Sequence, residues 1–157
     1  MDIKIQRITP TAKIPTRAHD TDTGYDLYAD KIDFSLSPRT IKVHTGIAIQ
    51  PEAGYYVEIF PRSSLGKKYM QLANSVGIID ESYTGEIIFV FNRIPVGLMT
   101  VEGKPLTKFV YDENSTIELG EKIGQMVVRK RIDADFVEVS YLDNTLRGAG
   151  GFGSTGK

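Results

Sequence analysis

The chain has 157 residues, 41% of them hydrophobic and 25% charged, with a formal net charge of −1, 15 glycines and no cysteine. That length implies one domain with one core, and the hydrophobic content excludes a disordered chain. The charge balance disfavours a general nucleic-acid binder, and the absence of cysteine removes disulfide frames, zinc ribbons and thiol chemistry.

The start, Met1-Asp2-Ile3-Lys4-Ile5-Gln6-Arg7, lacks the apolar stretch of a signal peptide. From there the dominant period is two. Ile32, Phe34 and Leu36 alternate with polar residues, as do Ile41 and Val43, Ile47 and Ile49, and then Tyr55, Val57 and Ile59. Such alternation predicts strands with one face on a core. Only Ser63–Gln71 reads as a short helical turn, with Ser63 or Ser64 as its cap. Ile87–Phe91 and Met126–Val128 are apolar on both faces and predict central strands. Ile87–Phe91 is the longest apolar run, far short of the about 20 residues of a membrane span. Residues 93–119 mix Pro95, Gly97, Gly103 and Pro105 with short apolar pieces, which predicts a hairpin excursion from the core sheet. Val137, Val139 and Tyr141 predict a last strand. Frequent turn punctuation between short strands implies an all-β sandwich or barrel. Arg129-Lys130-Arg131 reads as a solvated strand end.

Five of the glycines fall in the last eleven residues. The tail from Gly151 to Lys157 matches G-x-G-x-x-G and most of a P-loop, but both patterns work at the start of a helix and none follows in this sequence. Two readings of the tail stay open from the residues alone: a solvated glycine-rich end, or a segment that closes over a phosphate. Phe152 argues for the second, as do Arg147, Ser154 and Thr155 beside successive backbone amides. His19 and His44 have no metal-ligand spacing, and no nucleophile-elbow motif surrounds Ser63 or Ser64.

Five segments place charge or glycine where a plain β-protein would have neither: Ala18–Leu27, Pro61–Lys68, Asn74–Glu86, Gly120–Gln125 and the tail from Arg147. In this order they resemble the five motifs of the homotrimeric dUTP diphosphatases, the dUTPases, from about residue 18 onward. The resemblance implies a jelly-roll-like β-barrel over residues 1–146 with one short helix, and a flexible lid over 147–157. It implies hydrolysis of dUTP to dUMP and pyrophosphate with Mg²⁺, by attack of water on the α-phosphorus, which limits uracil incorporation into DNA. Asp80 matches the water-positioning carboxylate; its plain alternative is a turn residue. Asp26 matches the carboxylate that holds Mg²⁺ through water; its alternative is an exposed strand residue. Arg62, Ser63, Ser64, Gln125, Arg147, Ser154 and Thr155 match phosphate contacts. Asn74, Gly77 and Ile79 match the uracil hairpin, Tyr83 the ring against deoxyribose and Phe152 the aromatic that stacks on the base. The plain alternative for Tyr83 is core packing, the commoner fate of an aromatic in a sheet.

The resemblance also implies a homotrimer with shared sites, dUTP as the small-molecule partner, no direct nucleic-acid or membrane partner, and a cytoplasmic address (the host's, for a phage member). Thr84 stands where the third motif usually has Arg. The stretch 93–119 is longer than in compact members and is a candidate contact for a regulatory protein. The enzymatic rival of the same fold, dCTP deaminase, needs a proton-shuttling carboxylate where this chain has Val90. A binding protein without catalysis and an inert β-protein are the remaining alternatives; the second does not explain five charged motifs in order.

Overall fold

The period-two segments become strands, and their apolar faces meet in one core. The computed structural model describes residues 1–101 and 104–151. In chain order it contains β1 (Lys4–Arg7), β2 (Tyr25–Tyr28), β3 (Lys31–Ser37), β4 (Thr40–Gln50), β5 (Tyr55–Pro61) and α1 (Ser64–Lys67). Then follow β6 (Met70–Leu72), β7 (Gly77–Ile79), β8 (Glu86–Arg93), β9 (Pro95–Val101), β10 (Lys104–Tyr111) and β11 (Lys122–Lys130). One sheet runs β1-β4-β8-β6, with β3 also paired to β4; a second runs β2-β11-β5-β7. This is the all-β, jelly-roll-like architecture implied above. It is built as two sheets, and among the described residues no ring of strand pairing closes them into one barrel.

The two runs apolar on both faces are central strands. Within β8, Ile87, Phe89 and Phe91 are fully buried, and the Phe89 and Phe91 rings stack at 5.7 Å. Each such side chain contributes about 1.5–3 kcal/mol by leaving water. Beside them in the same sheet lie Ile41, Val43 and Ile47 of β4, and from the other sheet Val57 and Ile59 of β5 and Ile123 and Met126 of β11 join the same core. Gly124 is needed there, because a Cβ would come within 2.3 Å of the Phe89 ring. Thr45, buried in the β4 corner, donates to the Ile87 carbonyl at 2.7 Å and so pairs its hydroxyl inside the core.

Three expectations need correction. Val137, Val139 and Tyr141 form no strand; they are 80%, 56% and 84% exposed, because no strand among the described residues pairs with them. In β3 only Ile32 packs on the core. The pairing with β4 skips between Asp33 and Ser37, which leaves Phe34 and Leu36 more than half exposed. Finally, Ser63 occupies the N-cap of α1 but makes no side-chain cap bond.

Strands β9 and β10 form an antiparallel ribbon of their own, with Leu98 opposite Phe109. Arg93 holds its root. The guanidinium lies 4.5 Å from the Tyr111 ring centre and donates to the carbonyls of Pro38 (3.3 Å) and Asp112 (3.5 Å). Among the described residues no helix is long and apolar enough to cross a membrane.

Candidate active site: two half-sites on one chain

The first half-site lies where β11 runs between β2 and β5. Register sets Gln125 opposite Asp26 on one side and Phe60 on the other. Arg62 and Ser63 follow directly from β5, and the Arg62 N–H reaches the Ile123 carbonyl at 3.4 Å. Asp26, Arg62, Ser63 and Gln125 line a cleft of ≈ 340 Å³ with Asp22, Thr23, Gly24 and Ala18. Asp26 is only 16% exposed; Arg62 Nη1 binds one carboxylate oxygen at 3.0 Å and Lys122 Nζ the other at 2.7 Å. Two cations around one carboxylate leave a positive face that suits phosphate oxygens. Gly24 keeps the amide in place, since a Cβ there would sit 2.0 Å from Gln125 Oε1. Because Ser63 does not cap α1, its hydroxyl is available to the cleft.

The second half-site is built on a turn and an edge strand. Ser75 takes a left-handed conformation (φ 61°), and Val76 N–H donates to the Asn74 carbonyl at 2.6 Å. Gly77 then packs directly on Ile59, where a Cβ would meet Cγ1 at 2.5 Å. Strand β7 pairs only with β5, so its outer row of backbone groups is free to read a ligand edge. The Ile79 side chain belongs to the core, which leaves its backbone as the part that can contact a base. Asp80 follows, exposed, with no hydrogen bond or ion pair from its carboxylate to any described residue.

Tyr83 is 44% exposed, which excludes the core-packing alternative. Its N–H bonds the Asp80 carbonyl and its hydroxyl donates to the Glu86 carbonyl, both at 3.0 Å. The ring lies so close over Gly85 that a Cβ there would be 2.5 Å from the hydroxyl. Asp80 and Tyr83 share a depression of ≈ 250 Å³ with Ile78, Ile79, Glu86 and Ile88. Beside it, Glu81 accepts from Gly54 N–H at 2.8 Å and pairs with Arg131 at 2.9 Å.

The two half-sites share no lining residue. Asn74 is exposed on the turn, and Ser64 and Arg147 line neither half-site. Arg147 Nε turns back to the Gly150 carbonyl at 3.1 Å. Phe152, Ser154 and Thr155 lie outside the described residues. Lys122 is the cation that sequence reading missed, although it stands inside the fourth motif. Arg131 is not simply solvated, because it ties the end of β11 to Glu81.

A family model described as dUTPase matches residues 10–100. A deoxyuridine 5'-triphosphate nucleotidohydrolase of Helicobacter pylori is 35% identical over 99% of this chain and 97% of its own length. The chain belongs to the dUTPase family. The Kluyveromyces lactis dUTPase is 34% identical over 99% of the chain and 94% of its own length. Among solved structures, a mutant dUTPase of Staphylococcus bacteriophage 80alpha with dUpNHpp has a TM-score of 0.76 at 22% identity, covering 99% of both chains. A mutant dUTPase from phage phi11 of S. aureus, described with a structural Mg(II) ion, has a TM-score of 0.70 at 19% identity, covering 92% of this chain and 100% of its own. These two likenesses concern the fold.

Proposed function

We propose that this dUTPase hydrolyses dUTP to dUMP and pyrophosphate by attack of water on the α-phosphorus, at sites each assembled from more than one subunit of a trimer. The observation that carries this reading is the split itself. A positive cleft with phosphate donors and an edge that can read a base and sugar stand on one chain without sharing a residue. Arg62, Ser63 and Gln125 take phosphate oxygens. The backbone from Asn74 to Ile79 reads uracil, and Tyr83 closes on the deoxyribose. Asp80, without a partner among the described residues, orients the water and accepts its proton. Arg147, Ser154, Thr155 and Phe152 close over phosphates and base from the tail.

The trimer also explains the segment after β11. Ile132, Phe136, Val137 and Tyr141 are each at least 80% exposed, an apolar load that calls for cover by another copy. A stable monomer by light scattering at working concentration would reject this.

Mg²⁺ fits as an ion that enters with the triphosphate. Among the described residues no three His, Cys, Asp or Glu side chains gather as an ion-binding group. Magnesium needs few protein carboxylates when phosphates and water complete its shell. Asp26 would hold it through water, and the ion would neutralise charge on the triphosphate.

The test is pyrophosphate release with Mg²⁺ and dUTP, dTTP, dCTP or UTP. Release from dUTP only supports the reading; ammonia from dCTP, or no turnover, rejects it. Truncation after Leu146 should abolish turnover while the β-sheet circular dichroism stays; unchanged turnover would refute the tail's role. A second reading coexists with catalysis: the β9–β10 ribbon contacts a regulatory protein. It is favoured by the half-exposed Val96, Leu98 and Phe109. Deleting residues 94–111 should then remove the partner and leave hydrolysis intact.

A further inference from the structure

Glu86, the first residue of β8, is held from three directions. Its Oε2 accepts from His44 Nδ1 at 2.7 Å and its Oε1 from Gly46 N–H at 2.8 Å. Its backbone carbonyl accepts the Tyr83 hydroxyl at 3.0 Å. A carboxylate only accepts, so the imidazole hydrogen facing it sits on Nδ1. Both members of the pair are largely covered, at 18% and 20% side-chain exposure.

The other end of this chain of contacts is closely packed. Between His44 and Ala48 the pairing of β4 with β8 skips, and Gly46 takes φ +65°. A Cβ at Gly46 would be 2.7 Å from both Ala12 Cβ and Thr9 Oγ1, so the corner is packed tight. The Gly46 carbonyl also accepts Ile8 N–H at 2.7 Å. Within the Asp80–Glu86 loop no other side chain does this work. Thr84 lies along the groove formed by β1 and β4, and Glu81 ties the loop's beginning to Gly54 and Arg131. The position of the Tyr83 ring therefore depends on a relay from β4.

We propose that His44 is a positioning residue for sugar selection: by holding the Glu86 carboxylate it fixes the carbonyl that anchors the Tyr83 hydroxyl, and so sets the ring that excludes a ribose 2′-OH. The inference rests on the reading of Tyr83 as the sugar-facing ring. A ring held at one end only can yield to an extra hydroxyl; a ring held at both ends cannot.

The experiment is steady-state hydrolysis of dUTP and UTP by the full-length enzyme and its His44→Ala, His44→Gln, Tyr83→Phe and His44→Ala/Tyr83→Phe variants. His44→Ala should keep kcat on dUTP within about twofold, raise KM about fivefold and narrow the dUTP-over-UTP preference about tenfold. His44→Gln, which retains a donor for Glu86, should recover most of the preference. Tyr83→Phe should narrow it as His44→Ala does, and the double variant should go less than about twofold further. An unchanged preference in His44→Ala, or independent, multiplying effects in the double variant, overturns the proposal. Should His44→Ala fail to fold, the same cycle with His44→Asn decides it by the same criteria. Tyr83→Ala serves as the control for the underlying reading: if it leaves the preference intact, Tyr83 does not face the sugar at all.

Discussion

The two half-sites are built from different materials. The Asp26 cleft stands on paired strands: β11 between β2 and β5 sets Gln125 beside Asp26, and three ionic side chains brace one another. The Asp80 half-site stands on a turn, an edge strand and a loop, and its carboxylate is exposed, with no ion pair among the described residues. Charge recognition rewards rigid, pre-organised cations, whereas proton transfer rewards a group placed within hydrogen-bond reach of the reacting water.

The largest expected effect falls on the free carboxylate. Asp80→Asn should lower kcat by about 10²–10⁴, or roughly 3–5 kcal/mol of barrier, with little change in KM. Stopped-flow pyrophosphate release measures it, and a loss carried by KM instead would make Asp80 a binding group. The comparison itself is broken or kept by mixing subunits. Asp80→Asn and Arg62→Ala should each be nearly inactive alone. Unfolded together and reassembled, they should regain about a quarter of wild-type turnover, because a site drawing its two halves from neighbouring chains is intact in that share of random pairings. No recovery would place both halves of a working site on one chain.

A smaller effect belongs to the wall of the cleft. Gly24→Ala puts a methyl where the Gln125 amide lies, so the amide must swing away. KM for dUTP should rise about tenfold with kcat nearly unchanged. The smallest is an acid-side effect outside both half-sites. The hydrogen bond from Arg129, and next that from Tyr56, holds the Glu58 carboxyl below its ordinary range. A depressed carboxyl stabilises the fold above its unfolded value, and that contribution is lost as pH falls through the folded value. Arg129→Met should return Glu58 toward the ordinary range in a carbon-13 NMR titration and leave turnover unchanged.

Much of this was legible from residues alone. The alternation at Ile41–Val43 and Val57–Ile59, and the doubly apolar Ile87–Phe91, marked inward faces and a central strand, since a pleated strand buries every second side chain. The same rule failed at Phe34 and Leu36, where pairing skips, and at Val137–Tyr141, where no strand among the described residues lies alongside. Periodicity records which face seeks cover and is silent on what supplies it. The motif order named Asp26, Arg62 and Asp80, but not Lys122 on Asp26 or His44 on Glu86, whose partners are far away along the chain.

Residue order by itself determined the all-β class and the family and nominated a cast of candidate site residues, because these follow from local period and short motifs. Tertiary structure alone decided how that cast is divided. Contacts between β2 and β11, or between β4 and β8, join residues 38 or more positions apart, and no local pattern encodes such distances. The fold therefore placed the braced Asp26 in one depression and the exposed Asp80 in another that shares no lining residue with it.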